Sequence, residues 1–396
     1  MTPLALFCYA RPEHTCRTVE ALMANRRADE IALTVFCDGP RDSRARPKVA
    51  ETRAAVHALL DASDAFGAIA FVERDENLGL TRSILGGIGH LLETADQVIV
   101  IEDDIVTAPG FLDYALSGLD AYRDDPRIAT IGGYVPGAVS AAIPSDYRDD
   151  VFFSPRNTAW GWATWRDRWQ TVDYTLADYP AFKNDLPAQL AFNTCGDDVT
   201  QMLYFTAERG LNTWDVQSTY AFFRQSRLTV LPCRSLVENI GLDGTGEHCA
   251  TAPAMAVNLA AALGTHRFPA EVTTDDRILS AFRKLFARQH PGLIGGGAAA
   301  YWAAARGDQG LRRLVLAADS FARGDIEKAR LLLDIHLDRV PGDPEALTLI
   351  GEIALAVGAF EPAADVFRSA LLAWADHEAA NRGLVRALNR STAPVA

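Results

Sequence analysis

The stretch Val98-Ile99-Val100-Ile101-Glu102-Asp103-Asp104 runs from four β-branched residues straight into three carboxylates. Its apolar half is too short for an ordinary helix and rich in strand formers, so it reads as a buried strand. Three successive acids repel one another unless a cation or a ligand holds them, and a hard divalent metal takes oxygen ligands of this kind. The carboxyl end of a strand is also where open α/β sheets bind ligands. Against this stands a plainer reading, in which the acids solvate a strand end and cap the next helix.

Working outward, Leu4 to Tyr9 reads as a strand and Glu13 to Asn25 as a helix with Thr15, Val19 and Leu22 on one face. Ile31 to Cys37 is a second strand, ending at Asp38-Gly39-Pro40. Pro47 to Ala62 is helical, Ala68 to Glu73 is a short strand, and Leu80 to Glu93 is a helix leading into the strand at Val98. This βαβα alternation predicts a mostly parallel sheet covered on both faces. Strand ends at Tyr9, Asp38, Arg74 and Glu102 then share one edge, the expected binding crevice. From Ala129 the pattern turns irregular and rich in aromatics, with Phe152-Phe153-Ser154 and the segment from Asn157 to Trp165. Beyond it, Asp197 to Arg209 and Gln217 to Arg224 read as helices, and Leu228 to Leu231 as a short strand.

Composition narrows the function classes. With 396 residues, 49% of them hydrophobic and 22% charged, the chain has material for two domains and is not broadly disordered. A net charge of -13 argues against nucleic acid as a partner, since that binding rests on Lys and Arg neutralising phosphates. Leu4 to Tyr9 is apolar but lacks a basic leader and a cleavage site, and no apolar run reaches transmembrane length, so no integral membrane segment is expected. The six cysteines have neither zinc-type spacing nor a compact disulfide framework. Cys8 and Cys37 lie in apolar runs, where a free cysteine acts as a small hydrophobe. A reduced, cytoplasmic protein is the expectation, with peripheral contact at the inner membrane face as the remaining form of membrane association.

Past His266 the chemistry thins, and Gly292 to Gly297 is a glycine-rich break. Gly324, Ala329, Leu337 and Ala346 recur 34 residues on as Gly358, Ala363, Leu371 and Ala380. That period, with small residues at helix crossings, resembles tetratricopeptide repeats, although Ala375 stands where Pro341 would recur. The expected organisation is therefore residues 1–265 as an α/β domain, 266–306 as a helical linker and 307–396 as a small all-α helical-repeat region.

Several motifs now stand in one order: Tyr9-Ala10-Arg11-Pro12, Cys37-Asp38-Gly39-Pro40, Asn77-Leu78-Gly79-Leu80, Glu102-Asp103-Asp104, Trp160-Gly161-Trp162, Trp214-Asp215, and Asn239-Ile240-Gly241 with His248. Together they resemble glycosyltransferases of the GT-A fold, a Rossmann-like nucleotide-sugar-binding domain. The bacterial family 2-type enzymes and the N-acetylglucosaminyltransferase I group are the most similar.

The resemblance implies a role for each motif. Asp104 is the direct metal ligand, Asp103 the ribose contact, and Glu102 faces the donor sugar or supports the site. The metal, Mn²⁺ or Mg²⁺, stabilises charge developing on a diphosphate leaving group. Asp38 is the base contact and Arg11 a nucleotide contact, although an Asp-Gly-Pro turn and an exposed loop arginine are the equally simple readings. Asn77 opens a helix whose amides face the nucleotide, or is a plain N-cap. Asp215 is the implied base of an inverting transfer, with Asp197 and Asp198 in reserve although they read as the first turn of a helix. His248 is a further metal or phosphate contact in a loop over the donor, and Trp162 shapes the donor and acceptor pocket or packs in the core.

The implied partners are a nucleotide-sugar donor, a UDP-sugar by preference, and a saccharide or protein acceptor, with a protein partner engaging the helical repeats. Two alternatives stay open. One is a sugar nucleotidyltransferase, disfavoured because Tyr9 to His14 contains no glycine. The other is a non-catalytic scaffold that works through its repeats.

Overall fold

The computed structural model describes residues 1–182, 188, 191–196, 198–242, 257, 259, 266–287, 309–322 and 324–391. Its first elements follow the expected alternation: β1 (Thr2–Cys8), α1 (Pro12–Met23), β2 (Ile31–Cys37), α2 (Arg46–Asp61), β3 (Ala68–Glu73), α3 (Leu80–Leu92) and β4 (Gln97–Glu102). Then come β5 (Ile105–Thr107), α4 (Phe111–Ala121), β6 (Ile128–Gly132), β7 (Val151–Ser154), β8 (Trp162–Trp165), β9 (Leu228–Pro232) and β10 (Val237–Asn239).

Eight strands form one sheet in the order β3-β2-β1-β4-β8-β6-β9-β7. The pairings β3–β2, β2–β1, β1–β4 and β6–β9 are parallel, while β8 runs antiparallel to β4 and β6, and β7 to β9. This is a mostly parallel α/β sheet followed by a helical C-terminal region, the architecture the sequence implies.

Away from the edge strand β3 the strands are buried on both faces, which explains why they read as continuous apolar runs. Successive side chains alternate between the faces. Leu4, Leu6, Cys8, Ile99 and Ile101 pack with Val19, Leu60 and Phe111 on one side. Ala5, Phe7, Val98 and Val100 pack with Ile84, Ile88 and Leu92 of α3 on the other.

The segment from Ala129 to Trp165, expected to be irregular, instead supplies β6, β7 and β8. These strands are four or five residues long and wholly buried, so they show no polar alternation from which a strand could be read.

The chain divides into two compact units, Met1–Leu176 with Leu211–Leu285, and Ala177–Gly210 with Phe286–Ala396. In the second unit, the helix Ile326–Leu337 is followed 34 residues on by Phe360–Ala373, and Pro344–Ala356 by Glu378–Ser391. The sequence period is thus a period of helix starts. Gly324 and Gly358 precede these helices with φ of 82° and 80°, a left-handed turn that glycine adopts freely. Phe367 is fully buried, and its ring lies directly over Gly351 and Gly383 of the flanking helices.

This packing predicts a sharp contrast in the helical region. Phe367→Ala should cost about 3–5 kcal/mol, whereas Leu372→Ala, at a residue 89% exposed, should stay within about 0.5 kcal/mol. Urea denaturation of the full chain, followed by far-UV circular dichroism, measures both. Equal costs would mean that this ring does not hold the helices together.

Candidate functional site

The parallel set β3-β2-β1-β4 brings its carboxyl ends to one edge, so Tyr9, Asp38, Arg74 and Glu102 leave the sheet together. The acids follow β4 directly. Asp103 and Asp104 are 4% and 8% exposed, which a pair of adjacent carboxylates does not tolerate without compensation.

Arg11 supplies that compensation. It sits where β1 passes into α1, and its guanidinium forks between the two acids, touching Asp103 Oδ1 with one nitrogen and Asp104 Oδ2 at 2.9 Å with the other. The Tyr9 amide stands 3.4 Å from Asp103 Oδ2, and the Thr18 hydroxyl donates to the Asp103 carbonyl at 2.9 Å.

The compensation is incomplete. Desolvation pushes the Asp103 carboxyl up to about 6, and Asp104 adds to the effect while Arg11 opposes it. Glu102 is raised well above the usual carboxylate range, first by burial and then by Asp104, Asp103 and Asp215. Arg11 is held more firmly protonated by Asp103 and Asp104, against a burial that alone would lower it.

A short antiparallel pair closes the acid loop from the far end of the unit. β10 pairs with β5, setting Asn239 opposite Ile105. The Ile240 amide then donates to the Asp104 carbonyl at 2.9 Å, and the Gly241 amide to Asn239 Oδ1 at 2.7 Å. A Cβ on Gly241 would crowd Asp104 Oδ2 and meet Arg11 Nη1 at 2.9 Å, so any larger residue there must displace this ion pair.

Asp38 holds a different loop. Its Oδ1 accepts from the amides of Gly39 at 3.0 Å and Leu78 at 2.9 Å. Its Oδ2 accepts from the Gly79 amide at 2.9 Å and from Asn77 Nδ2 at 3.0 Å, and Asn77 Nδ2 also reaches the Gly39 carbonyl at 2.8 Å. Four donors meet one buried carboxylate, which fixes residues 77–79 at the start of α3. A Cβ on Gly39 would fall 2.4 Å from the Glu76 backbone, so the close approach at Gly39 is to the chain itself.

Asp215 opens the helix Asp215–Arg224, and its carboxylate accepts from the Thr213 hydroxyl. Its charge reaches Glu102. The preceding Trp214 is 2% exposed and stacks on Trp162 with centroids 5.2 Å apart. Trp162 itself is fully buried and also meets Trp169, so it presents no face to a ligand and instead anchors the turn that carries Asp215.

Arg11, Glu102, Asp103, Asp104 and Asp215 are therefore brought together, with Asp38 and Asn77 on the same sheet edge. His248 and Asp197 lie outside the described residues. Asp198 begins the helix Asp198–Arg209 in the second unit. Among the described residues, no group of three or more His, Cys, Asp and Glu side chains gathers into a complete metal site. Sequence reasoning missed the β5–β10 pair, because strands of three residues carry no periodic signal. It also missed the Thr213 contact to Asp215.

No protein-family model matches the sequence, and no curated protein matches it. Among solved structures, the chain resembles galactosyltransferase LgtC in complex with donor and acceptor sugar analogues. That likeness has 14% identity and a TM-score of 0.30, over 56% of this chain and 70% of LgtC. It also resembles residues 1–349 of S. aureus TarS, with 11% identity and a TM-score of 0.39 over 84% of this chain and 90% of that one. At these scores the likeness argues for neither a fold family nor an activity, and the site must speak through its own residues.

Two outcomes are expected of this geometry. Asp38→Ala, which strands the Leu78 and Gly79 amides, should cost about 1–3 kcal/mol and speed hydrogen exchange at both. Unchanged exchange there would show that the loop holds itself. Arg11→Ala should cost about 3 kcal/mol at pH 7, the low end for breaking a buried pair, because the side chain is 25% exposed. The cost should depend on pH in a defined direction. A folded-state carboxyl raised to about 6 loses stability as pH rises from about 4, its ordinary value, through 6. Removing Arg11 raises it further, so the deficit should grow as pH rises above about 6 and level off below it. A deficit that is flat with pH would count against the pairing.

Proposed function

We propose that the chain is a nucleotide-sugar-dependent glycosyltransferase of GT-A type, with its donor site along the carboxyl edge of β1 to β4. The observation that carries this reading is the convergence of Arg11, Glu102, Asp103, Asp104 and Asp215 at that edge, three acids balanced by one arginine and a fourth within electrostatic reach. Such an edge is where an open α/β sheet takes a nucleotide.

In this reading Arg11 pairs with the diphosphate as it leaves Asp103 and Asp104, since guanidinium suits phosphate and carboxylate equally. Asp103 takes the ribose and Glu102 faces the donor sugar. Asp38, with all its acceptor positions engaged, serves by holding residues 77–79 so that the amides opening α3 face the nucleotide.

The residues fit a hard divalent cation in part. Asp104 offers a carboxylate oxygen that already faces a cationic group at 2.9 Å, and His248 is the further candidate ligand. When bound, Mn²⁺ or Mg²⁺ would supply charge stabilisation for the departing diphosphate.

Asp215 is the base. Its carboxylate takes the proton of the acceptor hydroxyl as that oxygen attacks the anomeric carbon, and the bond from that carbon to the diphosphate oxygen breaks on the opposite side, with inversion. The Thr213 hydroxyl and the Trp162–Trp214 stack fix where that carboxylate points. A UDP-sugar is the preferred donor, and a saccharide or protein the acceptor. The helical region, with Leu331 and Leu372 60% and 89% exposed, is assigned to recruiting a protein partner in the manner of tetratricopeptide repeats.

The test is nucleotide release from UDP-, GDP-, CMP- and dTDP-sugars with and without Mn²⁺. One nucleotide class should be hydrolysed or transferred, and Asp104→Ala should abolish its metal dependence. Asp215→Asn should lower kcat by about 10²–10⁴-fold with little change in donor KM. An absence of release from every donor, together with no metal-dependent nucleotide binding in a thermal-shift titration, would sink the proposal.

A further inference from the structure

Cys8 ends β1 and Cys37 ends β2, and the register of these parallel strands sets the two residues directly opposite each other. Both pack on the sheet face shared with Leu6 and Val35. Their Sγ atoms stand 3.3 Å apart, with the Cys8 thiol donating to the Cys37 sulfur. Neighbouring strands lie about 4.7–4.9 Å apart, inside the Cα separation of about 4.4–6.8 Å that a disulfide spans. The Cα atoms are therefore within reach of a bridge, which needs the sulfurs to close from 3.3 Å to about 2.05 Å.

The two thiols are chemically unequal. The hydrogen bond from Cys8 lowers the Cys37 thiol, and Arg53 and Arg74 assist against burial and Glu73. The same hydrogen bond, with burial, raises Cys8. Arg53 is held in place by the carbonyls of Arg74 at 2.5 Å and Asp38 at 3.3 Å. At two other cysteines the balance runs the other way: Cys16 is raised by burial and Glu20, and Cys233 is pushed up to about 12, mainly by burial. Cys8 and Cys37 are buried while Cys16 and Cys233 are partly exposed, so thiolate character rather than access is what favours the pair.

We propose that Cys8 and Cys37 form a dithiol–disulfide modification site, oxidised by a peroxide and reset by a small thiol, directly beneath the Asp38 brace. The Cys37 thiolate attacks one oxygen of hydrogen peroxide. The O–O bond breaks, hydroxide leaves and is protonated to water, and Cys37 becomes a sulfenic acid. The Cys8 sulfur then gives up its proton and attacks the sulfenic sulfur, whose S–O bond breaks to release a second water. Two thiols and one peroxide thus become one disulfide and two waters, the sulfurs oxidised and the peroxide oxygens reduced. The Asp38 amide donates to the Cys8 carbonyl at 3.0 Å, so closure of the pair is felt by the carboxylate that holds Leu78 and Gly79.

The native full chain, treated with hydrogen peroxide, alkylated without reductant and mapped by mass spectrometry, tests this. The expected product is a peptide joining Cys8 to Cys37, two hydrogens lighter than the reduced pair and reversed by dithiothreitol, formed before Cys16 or Cys233 changes. Cys8→Ser, and Cys8→Ala if serine is not tolerated, should give no link and should accumulate sulfenic or sulfinic acid at Cys37. Oxidation of Cys16 or Cys233 while Cys8 and Cys37 stay reduced would overturn the site, as would a link that forms only in urea. Hydrogen exchange on the oxidised chain should be faster at Leu78 and Gly79, and unchanged exchange would overturn the coupling to Asp38.

Discussion

Everything at the sheet edge depends on how Asp103 and Asp104 are kept apart from water and yet together. Two adjacent buried carboxylates are stable only with a cation at hand. Arg11 provides one from within the chain, through a fork that reaches both acids. The fork in turn needs the short β5–β10 pair, because β10 delivers Gly241 to a place where any larger residue must displace the ion pair. A loop more than a hundred residues downstream is tied to the acid loop by that strand pair and by the Ile240 amide on the Asp104 carbonyl, and so comes to lie against the ion pair.

Asp38 solves a separate problem with the same currency. α3 must begin immediately after a loop that passes close to β2, and that loop has to be held in place just ahead of the helix. One buried carboxylate accepts from Leu78, Gly79, Gly39 and Asn77, so the loop is fixed by hydrogen bonds to a charged group, stronger than neutral ones. The motif residues Asp38 and Asn77, well separated in sequence, are therefore two halves of one brace. A sequence reader sees two independent nucleotide contacts, whereas the structure shows them bonded to each other.

That contrast marks what was legible. The strands Ile31–Cys37 and Ala68–Glu73 were readable to the residue, because strongly apolar runs bounded by turn residues leave little choice. The helical period was readable because it is a repeat. The strands β6 to β8 were not, since short segments buried on both faces lose the alternation that distinguishes a strand. At the site, the acids and Arg11 were visible as residue types in order. Their pairing was not, and neither was the burial of Trp162, because partner choice among charged and aromatic groups is decided by tertiary packing.

The charge balance of the edge bears on the proposed metal. Glu102, Asp103, Asp104 and Asp215 face one guanidinium, and the chain already responds by holding Glu102 and Asp103 toward their neutral forms. Under the proposed function a diphosphate brings further negative charge to the same place. Arg11 already faces both aspartates, so under the proposed function it would have to turn from them to meet the donor. Under that proposal a second cation beside Asp104 would offset the charge that Arg11 leaves behind when it turns to the phosphates. Among the described residues, Arg11 is the cation that reaches both Asp103 and Asp104, so its departure toward a phosphate would call for a replacement charge beside them.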